Sequence, residues 1–175
     1  MTVSTGLAIM PSLTHAATVS APRATAQASS AKATLTVPAH ILPHRTPAEL
    51  LSIARRGLAE AAQTQPDGLR FATAHLAALR AAAAVLAALA RPEPGRRNRV
   101  TSVWALLATV APELSEWAAF FAAGASKRAA AEAGIPRAVT AREADDLIRA
   151  AEQFVEVVAV SLGLAYQPAL EGLAS

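Results

Sequence analysis

The sequence has no cysteine, only seven aromatic residues in 175 (four Phe, two Trp, one Tyr), and two lysines against fourteen arginines. Each shortage excludes something. Without cysteine there is no disulfide, no thiolate nucleophile and no zinc site built on sulfur. The composition is 53% hydrophobic but 4% aromatic, and much of the apolar share is alanine, which favours helix while burying little area per residue. Stability must then come from many close helix contacts. Charge of one sign is also scarce: the net +3 divides into +2 from residues 1–44 (Arg23, Lys32, no acid) and +1 from the remainder. A nearly neutral domain has no global electrostatic grip on nucleic acid.

Targeting and membrane signals are missing too. Residues 1–22 carry no basic n-region and no compact apolar run, which argues against a secretory signal. The richest apolar run, Ala81 to Ala90, is about half of what a bilayer span requires. A soluble, cytoplasmic protein is expected. There is no glycine-rich phosphate loop, nucleophile elbow or paired-carboxylate site: Asp145 and Asp146 are adjacent and diverge, and Asp145 is spaced to pair with Arg149. His40 and His44 flank Pro43 with no third ligand nearby, so neither a metal nor another cofactor is expected.

What is present is helix. Residues 1–45 are Ala, Ser, Thr, Pro and Val without sustained periodicity and read as a disordered arm. Residues 46–164 form the domain, and 165–175 are a short tail. Thr46-Pro47-Ala48-Glu49 is a capping box with proline at the first helical position. The helix it opens buries Leu50, Leu51, Ala54, Leu58 and Ala61, with Arg56 and Glu60 spaced as a pair, and ends before Pro66. Asp67 is set to cap a long second helix with a stripe of Leu69, Ala72, Leu76, Leu79, Ala83, Leu86 and Ala90, widened by Phe71, Val85 and Leu89. Apolar over so much of its circumference, it belongs at the centre of the bundle. Thr101 or Ser102 starts a short third helix carrying Val103, Trp104, Leu107 and Val110. Pro112 opens a fourth, with Trp117, Phe120, Phe121, Gly124 and Arg128 on one side, ending near Gly134. Thr140-Ala141-Arg142-Glu143 is a second capping box, before a last helix with Leu147, Ala151, Phe154 and Val158 inward. Five helices, short loops and no strand signal predict an all-α bundle.

Three stretches carry a family resemblance: ELLSIARRGLAEAA (Glu49 to Ala62), RFATAHLAALRAAAAVLAALA (Arg70 to Ala90) and TAREADDLIRAAEQFVEVV (Thr140 to Val158). Their order resembles the HEPN superfamily (higher eukaryotes and prokaryotes nucleotide-binding), closest to an actinobacterial branch, over roughly Glu49 to Val160. The resemblance implies a small helical domain of toxin-antitoxin or defence contexts. It implies a homodimer, RNA or nucleotide as ligand, and an antitoxin-type or other protein as partner. The resemblance implies that active members are metal-independent ribonucleases that use an Arg, usually followed by a polar residue, and then a His after about four to six intervening residues. There a His moves protons at the ribose hydroxyl and leaving oxygen while Arg stabilises charge on phosphate.

This sequence has one literal match, Arg70 to His75. It lies in the second helix rather than toward the C-terminal half, Phe71 follows the Arg, and the offset sets the two side chains about 140° apart around the helix. The stretch that aligns with the family motif, Lys127 to Gly134, holds Arg128 and no His. A structural His75 at the core border is the alternative to a proton-transfer group. Arg91, Arg96, Arg97 and Arg99 are the densest positive charge, suited to phosphate or merely solvated. Trp104, Trp117, Phe120 and Phe121 have core spacing, though aromatics can stack on bases. Ala118, Ala122, Ala125 and Ala129 form a small-residue strip that allows close approach of another helix, in the same chain or a second copy. The favoured reading is a HEPN-like domain without the nuclease pair, binding RNA, a nucleotide or a partner through Arg91, Arg96, Arg97, Arg99 and Arg128. The alternatives are a ribonuclease using Arg70 and His75, and a purely structural dimerisation bundle.

Overall fold

A computed structural model describes residues 36–38, 43–93 and 102–165. Within them the chain forms α1 (Pro47–Gln63), α2 (Asp67–Leu89), α3 (Val103–Val110), α4 (Ser115–Glu132) and α5 (Ala141–Ser161), with a 3-10 turn at Pro112–Leu114 leading into α4. The fold is an all-α bundle, as the periodicity predicts. One small addition had no sequence signal. A three-residue strand β1 (Thr36–Pro38) pairs in parallel with β2 (Arg91–Glu93), Thr36 standing opposite Arg91. Three residues with a proline in each strand are too short for alternation to be legible.

The helix starts follow local hydrogen bonding. At α1 the Thr46 hydroxyl accepts from the Glu49 N–H at 3.2 Å, and the Glu49 carboxylate accepts from the Thr46 N–H at 2.8 Å. Thr140 and Glu143 repeat the arrangement at α5. Each box satisfies backbone donors that a helix N-terminus otherwise leaves open. Ser102, rather than Thr101, caps α3 by accepting from the Ala105 N–H at 3.1 Å. Asp67 differs from expectation. It is the first helical residue and caps nothing; its carboxylate accepts from Arg70 Nη1 at 3.3 Å instead. The C-terminus of α4 is closed by Gly134, whose φ of +71° is open to glycine at little cost, with the Ile135 N–H returning to the Ala130 carbonyl at 3.0 Å.

α2 packs against all four other helices, which makes it the centre that its composition predicts. The face it buries is only partly the predicted stripe. Ala72 and Leu86 are buried, but Leu69 and Leu76 are 47% and 37% exposed, while Ala74, Ala77, Ala78, Ala81, Ala82 and Ala84 are wholly buried beside Phe71 and Val85. A helix enclosed by neighbours needs small side chains where the axes approach, so Leu69 and Leu76 are left on the side with no neighbour. At the crossing with α1, a Cβ built on Gly57 would lie 3.4 Å from the Ala77 Cβ. α2 is also the one helix among the described residues long and apolar enough to cross a membrane, with more than half of its apolar window buried inside the bundle. That apolar stretch is longer than the Ala81–Ala90 run suggests, because Phe71 to Ala78 extends it.

The few aromatics concentrate between α3, α4 and α5. The Trp104 and Phe121 rings stack at 5.2 Å, the Trp117 and Phe154 rings lie 5.5 Å apart, and Phe121 and Phe154 lie 5.2 Å apart. Such pairs add about 0.5–1.5 kcal/mol each beyond area burial, so four rings compensate for the small volume of alanine elsewhere. The Arg56–Glu60 pair expected on α1 is not formed among the described residues; Arg55 instead reaches Glu156 of α5 at 3.9 Å. Because α1 and α2 meet backbone to backbone at Gly57, Ala77→Leu is expected to destabilise the fold by about 1–3 kcal/mol through overpacking. A urea denaturation midpoint equal to that of the unaltered protein contradicts this packing.

Candidate functional site

The residues with most chemistry lie where α2 meets α4 and the first turns of α5. His75 is the only buried polar residue among the described ones, with 0% exposure. Its Nε2 lies 2.8 Å from the Phe121 carbonyl on α4. A carbonyl only accepts, so Nε2 carries the proton, and Nδ1 is left as a buried lone pair without a partner. The ring is edge-on to Trp104 at 5.6 Å and to Phe121 at 6.0 Å, and stacks near Phe71 at 6.4 Å. On its remaining side is Gly124, where a Cβ would come within 3.4 Å of His75 Cδ2. The lone glycine inside α4 therefore marks where the imidazole abuts the helix backbone. Burial, and then the nearby Arg128 charge, push the His75 pKa below its ordinary value. The neutral imidazole is the form that fits.

Arg70, five residues earlier, points elsewhere. Its Nη2 donates to Asp145 of α5 at 2.5 Å and its Nη1 to Asp67 at 3.3 Å, with the side chain 15% exposed. These hydrogen bonds, led by that to Asp145, raise its pKa above the ordinary value. Arg70 and His75 share no hydrogen-bond partner: one ties α2 to α5, the other ties α2 to α4. Asp145 was spaced to meet Arg149, but Arg149 pairs with Asp146. Tertiary contact with Arg70 wins over the helical spacing.

Arg128 lies close enough for its charge to reach His75 and sits 3.6 Å from Glu132. Next to it, Lys127 donates to Glu143, the same carboxylate that closes the α5 capping box. The hydrogen bond from Lys127 is the largest cause, and that from the Thr140 backbone the next, of a Glu143 pKa lowered to about 2. Arg91 is exposed at the start of β2. Arg96, Arg97 and Arg99 lie outside the described residues. Trp104, Trp117 and Phe121 are buried and Phe120 is half-buried, so these rings are filled with packing rather than offered to bases. Of the small-residue strip, Ala118 is buried, Ala125 half-buried, and Ala122 and Ala129 exposed. The exposed Ala122 and Ala129, with Ala119, Ala123 and Ser126, give α4 an outer face of small side chains, with Glu116 at its start.

No group of three or more potential metal ligands occurs among the described residues. Sequence reasoning located His75, Arg70 and Arg128 but missed Asp145 as the partner of Arg70 and the double use of Glu143. Glu143 was legible as a cap; its ion pair spans two helices and was not. The Gly124 contact had a signal in an isolated glycine at mid-helix, whose neighbour only the fold supplies.

A family model described as HEPN_SAV_6107-like HEPN matches residues 61–159, from the last turn of α1 almost to the end of α5. No curated protein and no solved structure matches the chain.

The double role of Glu143 has a pH signature. Its folded pKa of about 2 lies below the ordinary 4.5, so its contribution to stability is complete above pH 4.5 and is lost as the pH falls from there toward 2. In Glu143→Gln that part of the acid destabilisation is expected to vanish. Urea midpoints of the two proteins at about pH 6 and about pH 3 test it; equal acid losses in both contradict it.

Proposed function

The chain belongs to the HEPN_SAV_6107-like HEPN family, and on that premise we propose that it is a non-catalytic HEPN domain that acts by binding, in regulation or defence. The observation that carries this reading is the way the one Arg–His pair is used. Arg70 is neutralised by two carboxylates and His75 is enclosed by rings and helix backbone. A general acid or base must come within hydrogen-bond reach of the proton it moves, and an imidazole with no exposed surface does not meet substrate in this conformation. Arg128, at the family's motif position, is engaged with Glu132 and has no histidine beside it.

Binding has surfaces to use. The arginines of the α2–α3 connection, Arg91, Arg96, Arg97 and Arg99, are suited to phosphate oxygens of RNA or a nucleotide, because guanidinium forks match phosphate geometry. The small-residue outer face of α4 is suited to a second helix, which supports the dimer that the family implies. A protein partner of antitoxin type would use the same physical opportunity.

Three measurements on one preparation test the reading. Incubated with labelled RNA in chelator, the protein is expected to leave the RNA intact; cleavage that His75→Gln abolishes would overturn the non-catalytic reading. RNA or nucleotide binding at low salt should weaken at least tenfold when Arg96, Arg97 and Arg99 are changed to Ala, and no binding by either protein would leave only an assembly role. Light scattering should give a dimer that Ala122→Glu converts to monomer.

A further inference from the structure

We propose that His75 is a proton-gated latch: uptake of one proton at its Nδ1 releases the α3–α4 layer from α2 while α1, α2 and α5 stay packed together. The His75 ring is asymmetric in its bonding, whatever the surface binds. Nε2 is committed to the Phe121 carbonyl at 2.8 Å, and Nδ1 is buried without a hydrogen-bond partner; His75's own backbone favours a proton there, but as the smallest of the influences on the ring. Protonation in place would create a cation enclosed by Phe71, Trp104 and Phe121. A charge so enclosed must be paired or hydrated.

The surroundings offer no pairing. The charges that reach the ring are both on α4: Arg128 opposes a proton, and Glu132 favours it less than Arg128 opposes it. α3 has no ionisable residue, and no ionisable group of α1 or α5 acts on the ring. The ring's own helix contributes Phe71. Relief therefore requires water at Nδ1, and water enters only if the surfaces holding the ring part.

Which surfaces part follows from how the layers are tied. α2 is packed more extensively on α1 and α5 than on α4 or α3, and Arg70 adds an ion pair between α2 and α5. Between α2 and α4 the ties are the His75–Phe121 hydrogen bond and the close approaches at Gly124 and at Gly68, where a Cβ would lie 3.4 Å from the Ala131 Cβ. The α4 helix stays tethered when these open. Lys127 holds Glu143 of α5, and that carboxylate remains ionised down to about pH 2. A mildly acidic pH thus titrates the latch and leaves the tether, which makes the response a local opening rather than global unfolding.

The sign is fixed by linkage. The closed state holds His75 below its ordinary pKa of 6.5 and the open state lets it return there. Closure is therefore fully favoured above pH 6.5 and weakens as pH falls below it, by up to about tenfold in the opening constant per pH unit.

Hydrogen exchange on the full chain, corrected for the intrinsic pH dependence of exchange, reads this directly. Between about pH 6.5 and about pH 4.5, amides of α3 and α4 are expected to show opening constants that rise, by at most about tenfold per unit, while those of α1 and α5 stay level. His75→Gln, which keeps a donor for the Phe121 carbonyl but cannot titrate, should remove the rise. Arg128→Gln, a change at a partly exposed position, provides the same check without touching the latch. It lets the closed state accept the proton more readily, so the total rise should shrink. An unchanging opening constant in the native protein, an equal rise in all helices, a rise that persists in His75→Gln, or one that Arg128→Gln leaves unaltered overturns the proposal.

Discussion

Everything in this bundle depends on how closely other helices can approach α2. An aromatic-poor, alanine-rich chain has little area to bury per residue, and it compensates by bringing backbones together. Ala77 against Gly57 sets the spacing of α1 on α2, and Ala131 against Gly68 sets it at one end of the crossing with α4. Further along that same crossing the contact is of another kind: an imidazole rather than a methyl group fills the gap, and Gly124 makes room for it. Trp104 of α3 and Phe121 of α4 stand edge-on to that imidazole, and Phe71 stacks near it. They supply the volume and the enclosure that a buried histidine requires.

The polar groups outside that crossing act as ties between helix ends. Arg70 joins α2 to α5 through Asp145, Lys127 joins α4 to α5 through Glu143, and Glu143 also starts α5. Both side chains of the one Arg–His match are thereby absorbed into structure. The family match and the use made of these residues are compatible: a HEPN scaffold kept for its shape needs no reactive pair, and its charged residues are free to serve as struts. Binding, as proposed, then falls to the arginines that follow α2 in the sequence and to the small-residue outer face of α4.

Much of the fold was legible because the deciding interactions are local. The capping boxes at Thr46 and Thr140, proline at the first turn of α1, the glycine closing α4 and the apolar repeat of α5 all act within one or two turns, and each is found as read. The rotation of α2 was not legible. Leucine and alanine both count as apolar in a periodicity, and only the number of neighbours decides which of them faces a helix and which faces water. Asp145 illustrates the same limit for charge: spacing along one helix offers Arg149, while the fold brings Arg70 from 75 residues away. Of the candidate site, the identity of His75 and Arg70 could be read, together with their divergence around the helix. Apart from Phe71, one turn earlier on α2, the carbonyl, the rings and the glycine that enclose the imidazole come from two other helices and had no sequence proximity to announce them.

The central claim is that His75 is a neutral, enclosed strut and not a proton-transfer group. Nitrogen-15 NMR of the imidazole, followed as a function of pH, measures this most directly. The account predicts a single tautomer with the proton on Nε2, slow exchange of that proton with water, and no titration at the ordinary histidine pKa while α4 remains closed. An imidazole that titrates at or above that value in the closed protein, or one that populates the Nδ1–H tautomer, contradicts it.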